Sequence, residues 1–326
     1  MATSSRVFLT GATGFIGQHV SRALRAAGYE VRSLVRNASV GTVDGDVVAG
    51  DLRRPGELVP ALRGCRYAVH CAALYSFAPR DRALLRSVNV TGTAGLLEAA
   101  RIAGVERAVV TSSGATVGPA RSDDRPSTET DRAVNGMHPG YHHSKLEQES
   151  AALGARVPAI LVLPTTVVGP GDAKPTPSGR LIVDFARGRV FASPPAGGAN
   201  LVAVEDVARA HVLALEHGRP GERYLIGGDN LTLDQLWRLL SDTTGRPVPR
   251  WRIPYGLAVL MGWIDEARCR LLPRAQPRVP LEGVRMSVQR MYVDCSKAKA
   301  ELGYEPGSVR AALERAVAWY RAHGYA

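Results

Sequence analysis

Residues 10–17 read TGATGFIG, directly after the apolar run Val7-Phe8-Leu9. An apolar strand that breaks into three glycines and then runs into a helical pattern, here Val20, Ala23, Leu24 and Ala27, is the mark of a dinucleotide-binding turn. Gly11 would make the tight turn and Gly14 would let the backbone approach a pyrophosphate. Gly17 would let the helix start close against the strand, with its first N–H groups aimed at phosphate. Glycines also mark ordinary turns, but the strand before and the helix after favour the phosphate-binding reading. Thr13, Phe15 and Ile16 lie in the same turn and join the glycines as expected cofactor contacts.

The pattern that follows fits this start. Short β-branched runs at Arg6–Thr10, Val31–Val35, Asp46–Ala49, Tyr67–Cys71, Ala108–Ser112 and Ala159–Leu163 predict strands. Helical patterns at Gly14–Ala27, Arg82–Ala103 and Tyr141–Leu153 fall between them. Such alternation predicts an α/β fold with a doubly wound parallel sheet, the Rossmann fold. Ligands of these sheets bind at the carboxyl ends of the strands, so Gly11, Asp51, Cys71, Ser113 and Pro164 should line one crevice.

After Pro164 the Pro- and Gly-rich VGPGDAKPTPSGR suggests a loop leaving the sheet. A helix ending at Gly218 and a strand at Glu222–Ile226 should then return to it. The expected division is residues 1–173 with about 200–230 as a dinucleotide-binding domain. About 174–199 with 231–326 would form a smaller, partly interleaved C-terminal substrate domain. Thr232 and Gln235 have the spacing of a capping box, and Ser308 should cap a helix over 307–323. The arginine- and proline-rich stretch Thr243–Arg290 should hold a short apolar helix near Leu257–Leu272.

At 326 residues the chain can bury a large core, and 45% hydrophobic with 22% charged residues suits a globular enzyme. The net charge of +11 invites a nucleic-acid reading. Lysine occurs only at 145, 174, 297 and 299, and no dense basic run with interleaved aromatics is present, so nucleic acid is not an expected partner. The scarcity of lysine draws attention to Lys145. No signal peptide or stretch long enough to span a bilayer is recognisable. Cys65, Cys71, Cys269 and Cys295 lack metal-ligand spacing, so no metal is expected and reduced thiols in a cytoplasmic protein are the simplest account.

Tyr141-His142-His143-Ser144-Lys145 is the second strong signal. Tyrosine and lysine four apart on a helix share a face, and an ammonium beside a phenol lowers the phenol's pKa from about 10 toward the range of a general acid or base. Thr111-Ser112-Ser113 ends the strand just before this pair. The adjacent His142 and His143 point in different directions on a helix and cannot chelate jointly. One of them, taken as His142, can line a pocket; His70, His211 and His217 read as structural.

TGATGFIG, Asn89-Val90-Thr91-Gly92-Thr93, TSSGATVG and YHHSK together resemble the extended short-chain dehydrogenase/reductases, the NAD-dependent epimerase/dehydratase family, over essentially the whole chain. PTTVVGPGDAKPTPSGRLIVDF, NLVAVEDVARAHVLALEHGRPGERYLIGGDNLTL and LEGVRMSVQRMYVDCSKAKAELGY are most similar to its dihydroflavonol-4-reductase-type branch, and within that to hopanoid-associated sugar epimerase/reductase-like proteins of bacteria. The resemblance implies that Tyr141 transfers a proton and that Lys145 binds the nicotinamide ribose and depresses the Tyr141 pKa. It further implies that Ser113 holds the reacting oxygen, that Asn89 supports the site, and that Ser112 lies nearer the cofactor. Asp51 and Leu52 would lie at the adenine, Cys71, Ala72 and Ala73 along the ribose, and Pro164 and Thr166 by the nicotinamide. Sugar-nucleotide epimerases usually carry Arg and Asn where this chain has Leu163-Pro164-Thr165-Thr166, which is the reductase-like version.

An NAD-preferring site has Asp or Glu at the end of the second strand, bonding the ribose 2′-OH. Here that strand ends Leu34-Val35-Arg36. Arginine cannot accept that bond but matches a 2′-phosphate, so NADP(H) is expected, with NAD(H) as the alternative and Arg32 as a second candidate contact. The expected activity is hydride transfer between nicotinamide and a carbonyl carbon. The rival is an NAD-dependent sugar-nucleotide epimerase or dehydratase with the same Ser-Tyr-Lys triad, and a remoter one is a cofactor-binding regulatory protein without chemistry. A small-molecule substrate, apolar or lipid-linked, is suggested by the Leu74–Phe77 loop and the Leu257–Leu272 helix. Tyr75, Phe77, His142 and Arg180 are its candidate contacts, and a homodimer is the expected assembly.

Overall fold

The computed structural model describes residues 5–36, 43–133, 140–194, 196–272, 279 and 281–326. Positions 273–278 and 280 of the arginine- and proline-rich stretch lie outside them. The first half runs β1 (Arg6–Thr10), α1 (Phe15–Ala26), β2 (Glu30–Val35), β3 (Asp46–Ala49), α2 (Pro55–Leu62) and β4 (Tyr67–His70). It continues with α3 (Arg82–Leu85), α4 (Gly92–Ile102), β5 (Arg107–Thr111), α5 (Tyr141–Leu153) and β6 (Ala159–Pro164). Then come β7 (Thr166–Val168), α6 (Pro177–Ala186), β8 (Ala192–Ser193), β9 (Gly198–Ala203), α7 (Val204–His217), β10 (Arg223–Ile226) and β11 (Asp229–Thr232). The chain closes with α8 (Leu233–Thr244), β12 (Trp251–Arg252), α9 (Tyr255–Leu271), α10 (Leu281–Ser287), β13 (Arg290–Met291), α11 (Ser296–Leu302) and α12 (Val309–Ala322).

Seven strands pair in parallel in the order β10-β6-β5-β4-β1-β2-β3. This is the doubly wound sheet that the alternating pattern predicts. Strands covered by helices on both faces read as continuous apolar runs, and Val7, Phe8 and Leu9 in β1 and Ile160 to Leu163 in β6 are fully buried. The chain turns in opposite directions from β1, toward β2 on one side and β4 on the other. That switch point opens a crevice at the strands' carboxyl ends.

The helix expected over 82–103 comes in three parts. α3 gives way to a wide π turn at Arg86–Thr91 before α4 begins. Such a turn inserts an extra residue, and here it carries the buried Asn89. β4 and β5 each end one residue before the predicted limit; the Cys71 N–H still donates to the Thr10 carbonyl and the Ser112 N–H to the Val162 carbonyl, and Ser113 follows at the carboxyl end. The capping box of Thr232 and Gln235 opens α8, and Ser308 caps α12 by accepting from the Ala311 N–H at 3.3 Å.

A large apolar core fills both faces of the main sheet. A second gathers Val168, Phe185, Trp237, Leu240, Leu313 and Tyr320 from β7, α6, α8 and α12, with Phe185 stacked on Trp237 at 5.7 Å. Val293, Cys295, Ala298, Leu302 and Tyr304, expected in the C-terminal unit, bury their side chains in the first core because α11 packs on α7 and β10.

Candidate active site

The glycine turn is built by exclusion of side chains. Gly11 has φ +78°, and a Cβ there would lie 2.6 Å from the Ala72 backbone nitrogen. A Cβ on Gly17 would run into the Gly11 carbonyl oxygen, which already accepts from the Gly14 N–H at 2.9 Å. Strand end, helix start and the segment after β4 are thus pressed together in a way only glycine allows. Gly14 caps α1 without a side chain, and no acidic residue stands in its first turn. The first amides of a twelve-residue helix are left for an anion. Thr13 is exposed in the turn, and Phe15 and Ile16 are half-buried in the first helical turn. Ala72 and Ala73 follow β4 beside Gly11.

On the neighbouring strand end, Tyr141 opens α5 and Lys145 follows on its buried side; Tyr141 is 8% and Lys145 1% exposed. The Lys145 Nζ lies 6.0 Å from the centroid of the Tyr141 ring. It donates to the Thr111 carbonyl at 2.9 Å and to Gln148 Oε1 at 2.6 Å. Burial away from water pulls its pKa down to about 8. Ser113 follows β5, and its Oγ caps a short turn by accepting from the Ala115 N–H at 3.2 Å. A Cβ on Gly114 would lie 3.1 Å from Thr165 Cγ2 and 3.3 Å from the Pro164 carbonyl, so the Ser113 turn abuts the end of β6. Thr166 opens β7 just beyond.

Behind Lys145 runs a polar chain that motif reading did not find. Gln148 Nε2 donates to Thr93 Oγ1 at 2.9 Å, and Thr93 in turn donates to the Asn89 carbonyl at 2.6 Å. His70 Nε2 lies 2.8 Å from the same Thr93 oxygen, and its Nδ1 lies 2.7 Å from Thr10 Oγ1. The Thr93 hydroxyl proton is already committed, so Nε2 of His70 carries the hydrogen and Nδ1 accepts from Thr10. Burial holds His70 neutral, with its pKa pushed down to about 3. His211 is likewise neutral, donating from Nδ1 to the Val207 carbonyl and facing Thr111 Oγ1 with Nε2 at 2.7 Å. Both are structural as expected, whereas His217 is exposed beside Glu216. The signals were present: Gln148 is one helical turn from Lys145, and Thr93 belongs to the Asn89–Thr93 segment.

Asn89 Oδ1 accepts from the Leu74 N–H at 2.7 Å, while its Nδ2 donates to the Leu74 carbonyl and to Ser144 Oγ, each at 3.0 Å. It therefore ties the loop after β4 to α5. That loop carries Tyr75 and Phe77 onto Tyr141, with ring centroids 4.2 Å and 6.5 Å away. His142 is buried 6.3 Å from Phe77, while His143 faces outward. Tyr75, Phe77, Tyr141 and His142 form one aromatic group. Arg180 stands exposed on α6, near enough to Asp172 to offset part of the upward push of burial on that carboxyl.

Ser112, expected near the cofactor, turns its hydroxyl the other way. It donates to Glu149 Oε1 at 2.6 Å, as does Thr116. Glu149 is fully buried and is countered by Arg223 and Arg132, each 3.1 Å from Oε2. This charge cluster braces the back of the Ser112–Val117 turn. Cys71 is half-buried, its thiol 3.3 Å from Thr111 Oγ1 and its pKa raised to about 12 by desolvation.

Arg36 follows β2 and is exposed, close enough to Asp51 to help lower that carboxyl; among the described residues no ion pair holds it. Asp51 is drawn down to about 2, chiefly by Arg53, which bonds it at 2.5 Å. Leu52 is buried against Gly92. Arg32, the second candidate, is already taken: its Nε donates to Asp46 at 2.6 Å and its guanidinium also bonds the Ala61 and Arg63 carbonyls.

Residues 7–227, most of the chain, match the NAD dependent epimerase/dehydratase family. The chain belongs to that family. It is 39% identical to a Synechocystis protein named for dihydroflavonol 4-reductase, over 100% of this chain and 97% of that one. It is 38% identical to sterol demethylase protein B of Methylococcus capsulatus, over 97% and 98%. The crystal structure of gox2253 superposes with a TM-score of 0.85 at 38% identity, covering 99% of each chain. The chain is thus an NAD(P)-linked enzyme of the epimerase, dehydratase and reductase group.

Proposed function

We propose that this member of the family is an NADP(H)-dependent oxidoreductase that reduces a ketone or aldehyde to an alcohol, or runs the reverse. The observation that carries the reading is the buried Lys145 ammonium beside the Tyr141 ring, next to the Ser113 turn. The turn at Gly11, Gly14 and Gly17 suits a dinucleotide, because a Cβ on Gly11 or Gly17 would strike backbone and push apart the strand end, the helix start and the Ala72 segment that bring the first amides of α1 to the crevice. Nicotinamide, when bound, supplies or takes the hydride. Tyr141 delivers the proton to the oxygen that becomes hydroxyl, and Ser113 holds that oxygen by a hydrogen bond. Lys145, held by Gln148 and Thr111, favours the Tyr141 phenolate and offers its remaining hydrogen to a ribose hydroxyl. Asn89 acts as a positioning residue through Leu74 and Ser144. Arg36 is the group suited to a 2′-phosphate, since Arg32 is committed to Asp46.

Tyr75 and Phe77 support an apolar substrate, and the name of the sterol demethylase relative agrees with that class. We draw the division into a dinucleotide-binding and a substrate unit along the two apolar cores, which moves the 293–304 segment to the first and Val168, Leu201 and Ala203 to the second. The deciding experiment purifies the protein and follows NADPH absorbance with a panel of ketones and aldehydes. Little bound NAD(H), reversible NADPH binding and stoichiometric consumption are expected. A full complement of non-dialysable NAD, with inversion of a sugar nucleotide in the absence of added cofactor, would establish the epimerase instead.

A further inference from the structure

α9 turns its apolar side outward. Leu257, Leu260, Met261, Trp263, Ile264 and Leu271 are 42–80% exposed, while the helix buries Gly262, Asp265 and Cys269. Positions 257, 260, 261, 264 and 271 recur at three- and four-residue steps and share one face. A soluble helix has this pattern reversed, and a contiguous apolar strip on a surface marks a site of contact. Just upstream, Trp251 in β12 is 74% exposed and pairs with Ala192, next to Phe191 at 72%.

The charge around this strip selects its partner. From Gly245 to Arg290 the chain has nine arginines, no lysine and three acidic residues. Arg250 and Arg252 precede the helix on the exposed β12 segment, and Arg268 and Arg270 lie in its last turn. Asp265 and Glu266 of the helix are largely buried and pair with Arg268 and Arg270, and Asp234 pairs with Arg252, so the net positive charge of the stretch comes from the excess of nine arginines over three acidic residues. A second copy would bring two arginine-rich rims together, which like-charge repulsion opposes. An anionic bilayer offers apolar depth for the strip, an interfacial layer suited to Trp251 and Trp263, and negative headgroups for the arginines. Among the described residues no helix is long and apolar enough to cross a membrane, so the contact is interfacial.

The strip also lies beside the candidate site. α9 packs against the turn at Pro79–Asp81, which ends the loop carrying Tyr75 and Phe77 onto Tyr141. We propose that α9 is a membrane-docking helix that seats the enzyme on an anionic lipid surface, with the Tyr75–Phe77 side of the substrate site next to the bilayer. The proposal deepens the apolar-substrate reading, but its test needs no turnover.

The full-length protein is floated with vesicles of phosphatidylcholine alone and of phosphatidylcholine mixed with phosphatidylglycerol. Wild type should float with the anionic vesicles, release in high salt, and bind phosphatidylcholine far less. The double variant Leu260→Asp and Ile264→Asp, at exposed positions, should lower the bound-to-free ratio by about tenfold or more, with its thermal melt and NADPH binding unchanged. Arg250→Glu with Arg270→Glu should weaken binding to anionic vesicles with the apolar strip intact. The proposal fails if wild type ignores anionic vesicles or if the aspartate variant floats equally well. It also fails if light scattering shows a wild-type dimer that this variant abolishes, since the strip would then belong to a second copy.

Discussion

Lys145 and Gln148, one turn apart on α5, are joined by a 2.6 Å hydrogen bond in which the buried ammonium donates to the amide oxygen. The amide nitrogen then donates to Thr93, which also accepts from His70, so the catalytic candidate is anchored to β4 and, through Thr10, to the strand that opens the glycine turn. Orientation of Lys145 is thereby shared with the cofactor cradle. Replacing Gln148 by Leu removes the acceptor and leaves a buried donor short of a partner. Turnover should drop about 10–100-fold, the range for losing one or two such bonds. Gln148→Glu keeps an acceptor and adds a negative charge beside the ammonium. It should recover part of the rate and move the alkaline limb of the pH profile upward, because the charge favours protonated Lys145. Unchanged rates and limbs in both variants would show that Gln148 merely fills space.

How much of this was legible beforehand depended on the range of the interaction. The glycine turn, the alternation of strands and helices and the Tyr141–Lys145 pair rest on local spacing, so periodicity and motif sufficed. The π turn at Arg86–Thr91 was not legible, since its residues do not differ in type from those of an ordinary helix. Its cause is tertiary: Asn89 must reach both Leu74 and Ser144. Glu149 was missed for the same reason. Its partners Ser112 and Thr116, Arg132 and Arg223 come from three segments, and no sequence spacing announces a buried carboxylate held from outside its own helix. Position at the strand end ranked Arg36 ahead of Arg32 in sequence, and the pairing of Arg32 with Asp46 supplies a second, tertiary reason.

Tyr141→Phe tests the proton-transfer assignment. The ring and its contacts with Tyr75 and Phe77 are kept, and only the hydroxyl is lost. Carbonyl reduction should fall by roughly 10²–10⁴, while the NADPH dissociation constant and the thermal melt stay near wild type. A variant keeping half the wild-type rate would remove Tyr141 from the chemistry.

Arg36→Ala tests the cofactor preference. A charge-assisted bond to phosphate contributes roughly 1.5–3 kcal/mol, so NADPH should weaken by about one to two orders of magnitude. NADH, with no phosphate to lose, should change little. Titration of both cofactors by quenching of intrinsic fluorescence measures this directly, and equal losses would reduce Arg36 to a surface residue.

Lys145 also makes a prediction about stability. In the folded protein it gives up its proton near pH 8, against about 10.4 in an unfolded chain, because burial disfavours the charged form. Between these values the unfolded chain binds more protons than the folded one, so this group's contribution to stability rises with pH across that window. Below it, the buried ammonium is a standing cost. Lys145→Met lacks the titration and shares the other ionisable groups. The unfolding free energy of wild type minus that of the variant should therefore increase from about pH 7 to about pH 10, by at most about 3 kcal/mol. Urea unfolding of both proteins at the two pH values gives the difference. A constant difference would mean that Lys145 titrates as it does in water, and that the depressed pKa assigned to its burial is wrong.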